Sequence, residues 1–120
     1  MYMQGKGQKL QMVKTEIEFK IITGEYPVGE RVPSMREIEE TYPIGVAWAR
    51  IALKELCDEG TLILEQGKGY KVSSQAPEKL MQKCHKELYD IFSQACQDAI
   101  RIGIDPLKMV QDILGNNRDD

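Results

Sequence analysis

Residues 33–53, PSMREIEETYPIGVAWARIAL, decide the fold of this 120-residue chain. Ser34 and Glu37 stand in the S-x-x-E relation of a capping box. The Ser34 hydroxyl accepts from the Glu37 amide while the Glu37 carboxylate accepts from the Ser34 amide. A helix therefore starts at about Met35, and it ends by Tyr42, because Pro43 restricts the residue before it and Gly45 adds backbone freedom. A following helix takes Trp48, Ile51, Ala52, Leu53, Leu56 and Cys57, and Gly60 closes it.

Upstream, the apolar residues Leu10, Val13, Ile17, Ile21 and Ile22 recur at steps of three and four, the pattern of an amphipathic helix over residues 9–23 with Gly24 at its C-terminal cap. Residues 24–30 are dense in turn formers, and Arg31-Val32 before Pro33 is a short extended piece. Two helices joined by a tight turn and packed on a first make a helix-turn-helix core. Downstream, residues 61–66 and 70–73 are strand formers around Gly67-Lys68-Gly69, which reads as a β-hairpin. A lone hairpin is marginal in water, so it must lean on the helices as a wing.

The linker 73–76 leads to Pro77, a favoured first residue of a helix. From Glu78 to about Ile102 there is no Gly or Pro. Leu80, Met81, Cys84, Leu88, Ile91, Phe92, Ala95, Cys96, Ala99 and Ile100 make one wide apolar stripe. Gly103 ends it. A last helix begins after Asp105, with Pro106 first and Leu107, Val110, Ile113 and Leu114 on one side, and residues 115–120 should fray. Two helices cannot bury a stripe this wide, so we expect a homodimer through it, with Leu80, Met81, Cys84, Leu88, Ile91, Phe92, Ala95, Leu107, Val110 and Leu114 at the contact. The alternative is that both helices pack back on the winged part of a monomer. The expected fold is mainly α with a small β-hairpin: a winged helix-turn-helix domain over residues 1–75 and a two-helix dimerisation segment over residues 76–120.

Composition narrows the function. Apolar residues at 42% and charged ones at 29% fit a globular chain. No apolar run approaches about 18 residues and the N-terminus has no signal-peptide pattern, so no membrane span is expected and the expected compartment is the cytoplasm. Three cysteines without CxxC spacing argue against disulfides and structural zinc. The one histidine, His85, is adjacent to Cys84, and neighbours on a helix point about 100° apart, which serves a shared metal poorly. With one histidine no Ser-His-Asp set arises elsewhere, and no phosphate-cradling G-x-x-x-x-G-K-S/T is present. No enzyme activity, metal or cofactor is expected.

Three runs, taken together and in order, resemble a known family. GEYPVGERVPSMREI (24–38), LKELCDEG (53–60) and GKGYKV (67–72) are similar to the "G-x-x-x-x-G-x-x-L-P-S-x-R-x-L", "L-x-x-L-x-x-x-G" and "G-x-G-[TY]-x-V" runs of the GntR family of bacterial transcription regulators, over residues 9–72. The short tail resembles that of its YtrA-like subgroup, which carries two dimerising helices in place of a large effector domain. The resemblance implies a winged-helix homodimer on a double-stranded operator, acting mainly as a repressor. No effector is indicated. It also implies DNA contacts at Arg36, at Arg50 and at the wing tip, Gly67, Lys68 and Gly69.

The departure from the family lies at the head of the third helix. Polar and basic residues are usual there, whereas this chain has Gly45, Val46, Ala47 and Trp48. Base readout needs donors or acceptors, and only the Trp48 indole carries one. Three arrangements stay open. In the first, Val46, Ala47 and Trp48 meet thymine methyls, sugars or bases, with DNA shape adding specificity. In the second, the same surface docks a protein, giving a winged-helix interaction module with weak DNA specificity. In the third, Trp48 turns into the core. A net charge of −3 and a near balance of cations and anions over residues 1–75 predict few phosphate contacts and a shallow salt dependence.

Overall fold

The computed structural model describes residues 5–117. In chain order it has helices α1 (Gly5–Ile22), α2 (Met35–Thr41) and α3 (Val46–Asp58), strands β1 (Leu62–Glu65) and β2 (Gly69–Val72), and helices α4 (Ala76–Arg101) and α5 (Pro106–Asn117). It is therefore mainly helical with one hairpin, as expected. The chain divides into two compact units that meet between Gln82 and Lys83, inside α4.

In the first unit, Val13, Ile17 and Ile21 of α1 are buried with Ile38 of α2 and Ala49, Ala52, Leu53 and Leu56 of α3. The capping box is formed: the Glu37 amide donates to Ser34 Oγ at 3.2 Å and the Ser34 amide to Glu37 Oε1 at 2.8 Å. Helix α2 stops at Thr41, where Pro43 stands two residues on. The core face of α3 is read one position differently in the structure. Ala49 rather than Trp48 opens it, and successive residues on a helix point about 100° apart, so Trp48 stands outside the buried cluster.

Strands β1 and β2 pair antiparallel, with Leu62 opposite Val72 and Glu65 opposite Gly69. Leu62 and Val72 are both in the core, which is how the hairpin leans on the helices. The extended piece before Pro33 runs beside β2. The Val32 amide donates to the Tyr70 carbonyl at 2.9 Å, the Val72 amide to Glu30 at 3.0 Å and the Gly29 amide to Val72 at 2.9 Å. One buried cation ties α1 to α3: Lys14 Nζ lies 2.9 Å from Glu55 Oε1 and 2.6 Å from Glu59 Oε2.

Helix ends show where pattern reading falls short. Helix α1 starts at Gly5 rather than Lys9, because each added residue needs only one further hydrogen bond once the helix is nucleated, whether or not it is apolar. Helix α5 continues through Gly115 to Asn117, where fraying was expected; residues 118–120 lie outside the described residues. Helix α4 starts at Ala76, and Ala76 and Leu80 pack in the first unit's core. The two units thus divide inside the helix, between Gln82 and Lys83, and not after residue 75. Leu80 is 4% exposed and already covered within its own chain, so it leaves the set of expected dimer residues.

In the second unit α4 and α5 are joined by a tight connection. The Ile104 amide donates to the Ala99 carbonyl at 2.9 Å, and Asp105 Oδ1 accepts from the Leu107 amide at 3.0 Å to open α5. No helix among the described residues is long and apolar enough to cross a membrane.

Candidate nucleic-acid interface

The cations of the first unit fall into two classes. Lys14 is held by Glu55 and Glu59, Lys20 lies 3.7 Å from Glu25, Lys54 is 3.3 Å from Asp58 and Lys71 is 3.0 Å from Glu65. Burial works against the Lys14 charge, but the hydrogen bonds it donates to Glu59 and Glu55 and their negative charges outweigh it and raise its pKa. Among the described side chains, Lys9, Arg31, Arg36, Arg50, Lys68 and Lys79 meet no carboxylate. Arg36, Arg50 and Lys68 are the three cations that the sequence pattern singles out. All three are exposed.

Arg36 occupies the first turn of α2, positioned by the capping box that fixes where the helix begins. Arg50 projects from α3 between the core residues Ala49 and Leu53. Lys68 sits at the wing tip between Gly67 (φ 77) and Gly69 (φ 95), a backbone that side chains disfavour and that lets the tip approach a partner closely.

The wing tip is not isolated. Arg31 Nη1 donates to the Lys68 carbonyl at 2.7 Å, and the Lys68 amide donates to Glu65 at 2.8 Å. An open depression of about 510 Å³ lies between the tip and the start of α2, lined by Tyr26, Arg31, Pro33, Ser34, Glu37, Lys68 and neighbours. It brings Lys68 and Gly69 together with Arg31; Arg36, Arg50 and residues 46–48 stand outside it. The Glu65 carboxyl is held below its ordinary value first by its hydrogen bond with Lys71 and that lysine's charge, then by Lys68 and Arg31. Arg31 was not among the expected contacts. Its signal in the sequence was weak: a cation in the extended piece, with a backbone carbonyl as partner.

At the head of α3, Gly45 adopts φ 99, ψ 137 and serves as N-cap with no side-chain bond of its own. Its amide donates to Glu39 Oε1 at 2.6 Å, which fixes the turn from α2 into α3. Trp48 is half-buried. Its Cδ1 would lie 3.7 Å from a Cβ placed on Gly45, so the indole folds back along the helix toward its N-terminus, the direction helical side chains take. The inward arrangement is not adopted, since Ala49 holds the core position. Val46, 52% exposed, and Ala47 present apolar surface at this helix end.

In the second unit Leu88, Ile91, Phe92, Leu107 and Leu114 are exposed, with Cys84 and Val110 half-buried and Ala95 exposed. Met81, at the end of the first unit, is exposed as well. Apart from the half-buried Cys84 and Val110, these residues remain exposed in the single chain. A shallow cleft of about 350 Å³ is lined by Tyr89, Phe92, Ser93, Cys96, Gln97 and Ile100. No group of His, Cys, Asp and Glu able to hold a metal occurs among the described residues.

Residues 9–72 match the family of bacterial regulatory proteins named after gntR. No curated protein matches the chain significantly. Among solved structures, a transcriptional regulator from Oenococcus oeni is 24% identical with a TM-score of 0.74, covering 95% of this chain and 96% of that one. YtrA from Sulfolobus acidocaldarius, a GntR-family transcription factor, is 18% identical with a TM-score of 0.52, covering 92% and 90%. BusR from S. agalactiae, in complex with its busAB-promotor DNA, is 25% identical with a TM-score of 0.54, covering 93% of this chain and 58% of that one.

Proposed function

The chain belongs to the gntR family of bacterial regulatory proteins, and from that premise we propose that it is a homodimeric repressor that binds an inverted-repeat operator. It is a transcriptional regulator with a DNA-binding domain. The finer reading is ours. One observation carries it: Arg36, Arg50 and Lys68, the positions where the family pattern expects DNA contacts, keep their charges uncompensated while Lys14, Lys20, Lys54 and Lys71 are paired. Cations left without acids are the ones available to neutralise phosphates. Val46, Ala47 and Trp48 supply apolar contact to thymine methyls, and the sequence-dependent shape of the duplex adds selectivity. The likeness to BusR, which was solved with its promotor DNA, supports this assignment. The second unit supplies the dimer contact, and a DNA target places the protein in the cytoplasm.

The test is the salt dependence of binding, followed by fluorescence anisotropy of a labelled duplex. Each phosphate contact contributes about −0.9 to the slope of log K against log salt. Arg36→Ala, Arg50→Ala and Lys68→Ala should each make the slope shallower by about that amount per subunit, and Lys54→Ala, whose charge is already paired with Asp58, should not. Slopes indifferent to all three unpaired cations would overturn the reading.

A further inference from the structure

We propose that Arg31 is a positioning residue that sets the wing tip for DNA, holding Lys68 in its contact geometry before the duplex arrives. The proposal rests on the DNA-binding reading above. The tip is soft by sequence, because Lys68 stands between Gly67 and Gly69, the residues with most backbone freedom to lose. Within the hairpin it is closed by the bond from the Lys68 amide to Glu65. The further restraint comes from outside. Arg31 Nη1 donates to the Lys68 carbonyl at 2.7 Å, the short distance of a charge-assisted bond.

The base of this clamp is fixed. Arg31 lies on the extended piece bonded to β2 through Gly29, Glu30 and Val32, so its backbone is anchored on both sides. Its stem covers the tip too: a Cβ placed on Gly69 would lie 3.6 Å from Arg31 Cδ. Electrostatics set the partner. The Arg31 guanidinium and the Lys68 ammonium share one tip with no acid bonded to either among the described side chains, and both lower the pKa of Glu65 nearby. With Arg31 committed to the carbonyl, Lys68 carries the charge presented to a partner, and a phosphate group of the duplex backbone is the anion that fits it. Ordering the tip on folding rather than on binding lowers the cost of association.

A double-mutant cycle tests this, with dissociation constants measured by anisotropy on a labelled mixed-sequence duplex at low salt for the wild type, Arg31→Ala, Lys68→Ala and the double variant. Arg31→Ala should weaken binding about tenfold, and the double variant should bind within about twofold of Lys68→Ala, since Arg31 acts through Lys68. Losses that multiply, or an Arg31→Ala protein that binds like the wild type, would overturn the proposal. Without DNA, the amide order parameters of Lys68 and Gly69 should fall in Arg31→Ala while those of β1 and the rest of β2 hold. Unchanged tip order would overturn it as well. A wild type that does not bind the duplex overturns the DNA-binding reading instead, and the order parameters still decide the clamp.

Discussion

Gly45 sets how the third helix begins. Its φ of 99 with ψ of 137 lies in a region that is essentially glycine's own, and it delivers its amide to Glu39 and its open face to Trp48. Gly45→Ala should cost about 1–3 kcal/mol of stability in a denaturant titration, the range for a residue forced into such a conformation. An unchanged midpoint would contradict this backbone assignment. At this scale the cations Arg36, Arg50 and Lys68 were legible, because short motifs fix their place relative to Ser34, Leu53 and Gly67. The direction of Trp48 was not. A shift of one residue turns a helical side chain by about 100°, and nothing in residues 46–49 marks which apolar side chain faces inward. Arg31 escaped notice for another reason: its partner is a carbonyl 37 residues away, and carbonyls carry no residue signature.

The elements themselves were largely written in the chain. Each of α1, α2 and α3 has an apolar period or a cap that names it, and the paired strand formers around residues 67–69 name the hairpin. The joint between α1 and α3 was not legible, since Lys14, Glu55 and Glu59 are ordinary surface residue types that meet only once the helices are packed. That joint has a pH signature. The pKa of Lys14 is raised above 10.5 in the folded protein, so the folded state favours its ammonium form. Its contribution is fully present below pH 10.5 and is lost as pH rises through the folded value. In chemical denaturation, the wild type should therefore lose stability more steeply than Lys14→Met above pH 10.5. Parallel alkaline limbs for the two proteins would remove this role. The place of Leu80 was misread for a similar reason: it belongs to an unbroken apolar stripe, and the stripe does not show where one unit's core ends and the next unit begins.

At the scale of the whole molecule the chain is acidic, with a net charge of −3, yet its winged unit leaves selected cations uncompensated. The proposed dimer gives those cations a second set related by symmetry, which doubles the phosphate contacts and makes a repeated half-site the natural target. The exposed face of the second unit is the proposed dimer contact, with Phe92 among its largest apolar side chains at 58% exposure. Because a two-fold contact changes twice, Phe92→Asp should weaken dimerisation by more than about a hundredfold, read by sedimentation velocity. A wild-type protein that sediments as a monomer at micromolar concentration would remove the dimer. The most direct test of the central claim is selection of bound sequences from a random duplex pool by the intact protein. We predict enrichment of an inverted repeat with A·T pairs where Val46 and Ala47 meet thymine methyls. No enrichment at low salt would contradict operator reading and favour a protein-docking role for the face around Trp48.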